Sequence, residues 1–157
     1  MYHFIINPSA GNGRAQKSWT KIQKKLCQLN LKYSYYLTTS STDLKQHLRQ
    51  QAKLTPKTIF VILGGDGTLY HALNAIAFPT KLDVILGYIP CGSGNDFAKA
   101  AQISTDPNKA LAQLLAQKAP RTLDLGYFKT SDRAGVFSNN LGLGFDAQIV
   151  EITNNSQ

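Results

Sequence analysis

Hydrophobic positions along this chain follow two alternating rhythms. Tyr2–Ile6, residues 32–37 (KYSYYL), Thr58–Leu63 and Val84–Ile89 are short apolar or alternating runs rich in β-branched and aromatic residues. Such runs predict strands. Between them the apolar spacing lengthens to three and four. Ala15, Trp19, Ile22, Leu26 and Leu29 form one stripe of a helix predicted over about residues 14–30, with Lys17, Lys21, Lys24 and Lys25 on the opposite face. Further helices are predicted from near Asp43 to the residues before Pro56, over 69–77, near Phe97–Ala101, and over 107–117, where Pro107 suits a first-turn position. Thr58–Leu63 is apolar without interruption after its first residue, as a strand covered on both faces requires. Strand, turn and helix in repetition predict an α/β domain over residues 1–120 with a mainly parallel sheet. The pattern changes near Arg121. Residues 122–128 and 135–143 alternate like antiparallel strands about a polar turn at Thr130–Arg133, the expected start of a β-rich second domain over 121–157.

Three strand-to-helix turns stand out: Asn7–Gly13, Gly64–Thr68 and Pro90–Asp96. In a parallel sheet the carboxyl ends of the strands gather at one edge, where ligands meet helix N-termini and bare backbone amides. Glycine lets backbone approach phosphate oxygens closely, and the helix dipole favours negative charge. Three such loops on one edge point to a polyphosphate site. Each has a plainer alternative. Asn7-Pro8-Ser9-Ala10-Gly11 is a phosphate cradle or a strand-ending turn. Asp66, between glycines, is a helix cap or the acid that holds Mg²⁺ beside phosphates, since a carboxylate there needs a cation between. Thr68 donates to a phosphate or caps its helix. Ser93 offers a hydroxyl, with Asn95 and Asp96 at the next helix start. Thr38 reaches a nucleotide or caps a helix; one hydroxyl of Thr38–Thr42 is expected to cap the helix near Asp43.

Length and charge narrow the partners. A chain of 157 residues and 17.2 kDa, 43% hydrophobic, is enough for about one folded domain. The net charge of +8 is unevenly spread: residues 1–57 hold ten Lys/Arg against Asp43 alone, while residues 58–157 hold seven Lys/Arg against eight acids. That field favours anionic partners. The lysine face of the first helix is a solvated surface or a contact for an anionic membrane. Nucleic acid is disfavoured, because Tyr33, Tyr35 and Tyr36 are not interleaved with the lysines as a stacking platform. Cys27 and Cys91 are too few for a disulfide scaffold, fit a reducing cytoplasm, and lack metal spacing; His3, His47 and His71 also lack it. No apolar run reaches the ~18 residues that span a membrane. No Gly-x-x-x-x-Gly-Lys-Ser/Thr loop occurs, so phosphate binding here needs another design.

Taken together, Asn7-Pro8-x-x-Gly11, Gly64-Gly65-Asp66-Gly67-Thr68 and Pro90-x-Gly92-Ser93-x-Asn95-Asp96-Phe97-Ala98 resemble the diacylglycerol kinase catalytic-domain family, which includes bacterial soluble lipid kinases and sphingosine kinases. The Gly-Gly-Asp-Gly turn alone is shared with NAD kinases. The resemblance implies a phosphofructokinase- or NAD-kinase-like α/β N-terminal domain followed by a β-sandwich. It also implies transfer of the ATP γ-phosphate to a lipid hydroxyl with Mg²⁺. By motif, Asn7, Pro8, Ser9, Ala10, Gly11, Thr38, Gly65, Asp66, Gly67, Thr68 and Ser93 are the expected nucleotide contacts, and Asp66 and Asp96 the expected metal-linked acids. Asp124 matches a segment at the domain junction. Leu69-Tyr70-His71 stands where the family usually has x-Asn-Glu, which removes an acid from the site helix. Family members are roughly twice this length, so the chain is expected to be an N-terminal portion, with the catalytic base in the remainder. The implied partners are nucleotide and a lipid substrate at an anionic membrane surface; the implied location is cytoplasmic, with peripheral membrane contact. The sequence leaves a homo-oligomer open. An NAD kinase-like enzyme and a non-catalytic nucleotide-binding module are the alternatives.

Overall fold

A computed structural model describes residues 1–55 and 57–139. Its strands are β1 (Tyr2–Ile6), β2 (Tyr33–Leu37), β3 (Ile59–Gly64) and β4 (Ile85–Pro90), and its helices α1 (Arg14–Gln28), α2 (Ser41–Leu54), α3 (Asp66–Ala77), α4 (Asp96–Ala100) and α5 (Pro107–Ala116). The four strands form one sheet in the order β2-β1-β3-β4, and every pairing is parallel. Phe4 sits in register with Tyr35 on one side and Val61 on the other.

Strand alternation divides the core into two layers. Phe4, Ile6, Val61, Leu63 and Ile89 point to one face, where Ala15, Trp19, Ile22 and Leu26 of α1 and Ala110 and Leu111 of α5 cover them. Ile5, Phe60, Ile62 and Tyr88 point to the other, against Leu44 and Leu48 of α2 and Leu69, Ala72, Leu73 and Ile76 of α3. Helices on both faces explain why β3 is apolar at every position from Ile59 to Leu63. Each large side chain so buried contributes roughly 1.5–3 kcal/mol of transfer free energy.

Three boundaries differ from the sequence pattern, each for a local reason. Leu29 is 46% exposed and outside the core, because α1 ends at Gln28. The chain reverses through left-handed Asn30 (φ 50°), with Asn30 N–H donating to Cys27 O and Leu31 N–H to Leu26 O. This closure carries Leu31, not Leu29, back onto the core. Second, α3 starts at Asp66 rather than Leu69, so Asp-Gly-Thr is the first helical turn and not a turn before it. First-turn residues have no partner four residues back, so Gly67 costs little there. Third, the antiparallel hairpin comprises β5 (Gly126–Lys129) and β6 (Ala134–Phe137), leaving 122–125 outside it. Its turn closes through Thr130 N–H to Arg133 O at 2.7 Å.

The hairpin docks on α3. Asn74 Nδ2 donates to Val136 O at 2.8 Å and Asn74 Oδ1 accepts from Val136 N–H at 3.0 Å, as a strand neighbour would. Val136 joins the α2–α3 core layer. Residues 140–143 of the second expected hairpin strand, the segment up to 157, and the expected breaker Pro56 lie outside the described residues. No described helix is long and apolar enough to cross a membrane.

Candidate functional site

Because all four strands run the same way, the segments that leave them share one edge. There a cleft of about 410 Å³ opens between the loops after β1 and β2 and the start of α3. Asn7, Ser9, Ala10 and Gly11 line it from the first loop, Thr38 to Ser41 from the second, and Gly65, Gly67 and Thr68 from the third, with Leu44 and His71 deeper along the helices. Among the described residues its lining holds no acid, lysine or arginine. Eight of the eleven expected nucleotide contacts therefore meet in one cavity: Asn7, Ser9, Ala10, Gly11, Thr38, Gly65, Gly67 and Thr68. Pro8, Asp66 and Ser93 do not line it, nor does Asp96.

Hydrogen bonds fix which groups remain available to a ligand. Ser9 Oγ donates to Asn7 Oδ1 at 2.8 Å, and Asn7 Nδ2 donates to Thr68 Oγ1 at 3.0 Å. Each proton in this chain points toward Thr68, whose own O–H has no acceptor among the described residues and is free for a ligand in the cleft. Thr68 is seated by Gly64, since a Cβ there would lie 2.6 Å from the Thr68 side chain. Thr38 behaves oppositely. Its buried hydroxyl donates to Ile6 O at 3.1 Å, so it caps no helix and can only accept from a ligand. Ser40 is the residue that caps α2, its Oγ accepting from Asp43 N–H at 3.1 Å. The start of α3 has no such cap: Gly65 is extended and offers no acceptor, and among the described residues no side chain takes the first-turn amides. Those amides and the Thr68 hydroxyl form a donor set suited to an anion.

The loop after β4 is tied to this cleft from behind. Asp66, in the first turn of α3, accepts Asp96 N–H on Oδ2 and Phe97 N–H on Oδ1, each at 3.2 Å. It thus caps α4 and not its own helix. Asp96 pairs with Lys99 at 3.1 Å on an exposed surface. Both carboxylates lie beside Gly94: the point a Cβ there would occupy is 3.3 Å from Asp66 Oδ2 and 3.4 Å from Asp96 Oδ2. No group of three or more His, Cys, Asp or Glu that could hold a metal occurs among the described residues. Mg²⁺ asks less than that, since it keeps several waters and uses one or two carboxylates beside phosphate oxygens, so this pair fits it. Ser93 Oγ accepts from Arg14 Nη2 at 3.3 Å. Arg14 also donates from Nη2 to Gly92 O and from Nε to Gly11 O, both at 3.0 Å, and so joins the loop after β1 to the loop after β4. Gly11 is required at that junction: its φ is +61°, and any Cβ would collide with the Cys91 carbonyl.

Arg14, Thr39, Ser40, Ser41 and Leu44 were not legible as site residues. Arg14 carried one signal, a cation directly after a glycine-rich loop. The hydroxyl run looked only like a helix start. Beneath it lies a polar stack: His3 Nε2 sits 2.8 Å from His47 Nε2, the Tyr36 ring lies parallel to His47 with centroids 3.7 Å apart, and Tyr36 O–H donates to Asp43 Oδ1 at 2.7 Å. Burial, reinforced by the neighbouring His47, lowers the pKa of His3 to about 4. The Thr39 amide, then the Tyr36 hydroxyl, hold the Asp43 carboxyl below its usual range. Burial pushes the Cys91 thiol up, which disfavours its thiolate, and also pushes up Tyr88, whose hydroxyl donates to Gly64 O at 3.2 Å. His71 is held below its ordinary pKa by burial and then by Lys45.

Known proteins resemble this chain in sequence and in fold. The sequence model of the diacylglycerol kinase catalytic domain matches residues 1–128. A diacylglycerol kinase of Bacillus subtilis is 30% identical over 122 residues, which cover 78% of this chain and 40% of that protein. One from Mycobacterium tuberculosis is 28% identical over 153 residues, covering 96% of this chain and 48% of that one. A crystal structure of a diacylglycerol kinase from Bacillus anthracis superposes with a TM-score of 0.66 at 26% identity, over 79% of this chain and 44% of that one. The chain therefore spans about half or less of the length of the relatives it matches.

Proposed function

The chain belongs to the diacylglycerol kinase catalytic domain family, and from that premise we propose that it is the nucleotide-binding part of an ATP-dependent lipid kinase that moves the γ-phosphate to a lipid hydroxyl. The observation that carries this is the uncapped start of α3, facing a neutral cleft lined by Thr68, whose hydroxyl accepts from Asn7 and keeps its own proton for a ligand. Asn7, Ser9, Ala10 and Gly11 close one side of the polyphosphate, and Gly65, Gly67 and Thr68 hold its oxygens from the other. Phosphoryl transfer depends on positioning and charge stabilisation more than on covalent chemistry, so a rigid donor set is the main contribution such a domain makes. Mg²⁺, when bound, supplies neutralisation of the phosphate charge. Asp66 and Asp96 are the residues that would hold it, and Arg14 keeps the loop after β4, with Ser93, against the loop after β1. No described residue is assigned as the base that takes the acceptor's proton.

The exposed Lys17, Lys21, Lys24 and Lys25 give α1 a face for an anionic lipid surface, where the acceptor resides. Calorimetric titration of the chain with ATP, ADP and NAD, each with and without Mg²⁺, tests the nucleotide reading. Mg²⁺-enhanced binding of ATP and ADP with NAD silent is the expected result. Binding of NAD would favour the NAD kinase reading instead, and no binding of any nucleotide would remove the cleft's assigned role. Vesicles of phosphatidylglycerol with diacylglycerol test the lipid side: the chain is expected to sediment with them at low salt and to be released at high salt.

A further inference from the structure

His71 occupies the cleft wall on α3, three residues beyond Thr68 and so on the same helical face, about 4.5 Å further along the axis. Its Nδ1 is buried and has no hydrogen-bond partner among the described residues. A buried acceptor without a partner is tolerated more readily than a buried N–H without one, so the ring proton belongs on Nε2. With His71 lining the cleft and its Nδ1 buried, Nε2–H is the ring donor left for a ligand there.

We propose that His71 is a nucleotide-binding residue that donates from Nε2 to a phosphate oxygen of the bound nucleotide and takes up a proton as the anion enters. The proposal rests on the nucleotide assignment of the cleft and adds a proton linkage to it. The surroundings set its direction. Lys45, on α2, is the charged group acting on the ring, and it disfavours a second positive charge. The first and second loops bring only neutral side chains to the cleft, and Tyr70 meets the ring edge-on at 5.3 Å. Burial and Lys45 both disfavour the imidazolium in the unliganded chain. A polyphosphate one helical turn away opposes Lys45 and stabilises the imidazolium, which donates from the same Nε2 with greater strength. By linkage, nucleotide binding strengthens on acidification by up to tenfold for each unit by which the ligand raises the ring's pKa.

The test is calorimetry of the native chain and of His71→Asn with ATP and Mg²⁺, between pH 6 and pH 8.5, in buffers of different ionisation heat. Asparagine places an amide where Nδ1 stands and cannot titrate, and the protonation of ATP itself is common to both proteins. The expected result is extra proton uptake by the native chain, with an affinity advantage over His71→Asn that is several-fold larger at pH 6 than at pH 8.5, where only the neutral ring's hydrogen bond remains. His71→Phe, with its fold checked by thermal unfolding, is expected to bind several-fold more weakly than native at pH 6. Equal proton uptake and parallel pH profiles for native and His71→Asn would overturn the role of His71 while leaving the nucleotide site standing. A native chain that binds no ATP would overturn the nucleotide assignment and this inference together.

Discussion

Helices α2 and α3 start side by side on the same sheet edge and line the same cleft, yet their N-termini are finished in opposite ways. The first turn of α2 is closed by its own loop: Ser40 Oγ takes Asp43 N–H, and Asp43 Oδ2 takes Thr39 N–H at 2.8 Å in return. The first turn of α3 follows Gly65 and has no side-chain acceptor. Its acid, Asp66, turns away to cap α4. A reciprocal cap contributes about 1 kcal/mol to a helix. Leaving it out at α3 forgoes that stability and keeps several donors free for an anion. The difference separates a helix start that serves the fold from one that serves a ligand.

Sealing α3 should have the largest effect. Gly65→Asp puts a carboxylate where it can accept the first-turn amides and repel phosphate. ATP affinity is expected to fall on the order of 100-fold, or ~2.7 kcal/mol. The new Cβ would stand 3.1 Å from Gly92 Cα, so crowding contributes as well. Gly65→Ala adds the same Cβ without an acceptor. The difference between the two variants in calorimetry reads the sealing alone, and equal affinities would show that the open end of α3 is not the anion site.

Loosening the sealed end needs only acid. His3 lies behind the α2 cap with a pKa near 4 in the folded chain and an ordinary value of 6.5. The unfolded chain binds this proton first, so the stability is fully present above about pH 6.5 and is lost as pH falls toward about 4. Roughly 3 kcal/mol is at stake in that window. Asp43 is depressed as well, but its contribution disappears only as pH falls below the ordinary carboxylate range. Thermal unfolding between pH 7 and pH 4 should therefore show a loss that His3→Gln flattens. An unchanged slope in that variant would move the acid sensitivity elsewhere.

Asp66 joins the two ends, and it marks the limit of what could be read from sequence. The Gly-Gly-Asp-Gly-Thr segment after a buried strand was visible as a site, and so were the four strands, because alternation and β-branched runs are local signals. The role of Asp66 was not visible. Its hydrogen bonds go to residues thirty positions away, and only the parallel sheet brings the two loops together. The same holds for Arg14, which bonds to Gly92 and Ser93. Local capping chemistry at Ser40 was predictable because donor and acceptor lie three residues apart. Read from the sequence alone, Asp66→Asn changes only metal-dependent binding. With two α4 amides on its oxygens, it should also destabilise the fold by about 1–2 kcal/mol, since one amide oxygen replaces two acceptors. Unfolding and Mg²⁺-dependent ATP titration on the same variant separate the two effects. Full stability would show that the α4 cap contributes nothing, and unchanged Mg²⁺ dependence would remove Asp66 from the metal.

The smallest effect belongs to a sealed start far from the cleft. Asp106 Oδ1 accepts Asn108 N–H and Lys109 N–H, both at 2.9 Å, ahead of Pro107 in the first turn of α5. Neither Asp106 nor its partners line the cavity. Asp106→Ala is expected to cost about 1 kcal/mol of stability, as loss of an N-cap does, with ATP affinity unchanged. Helix α5 packs on the α1 layer of the core, so the loss should appear in global unfolding rather than in local fraying alone. A helix start that serves only the fold should respond in stability and not in binding, whereas Gly65 should respond chiefly in binding. A fall in ATP affinity for Asp106→Ala comparable to that of Gly65→Asp would mean that the loops at the sheet edge follow overall stability, and the distinction between closed and open helix starts would then carry no functional meaning.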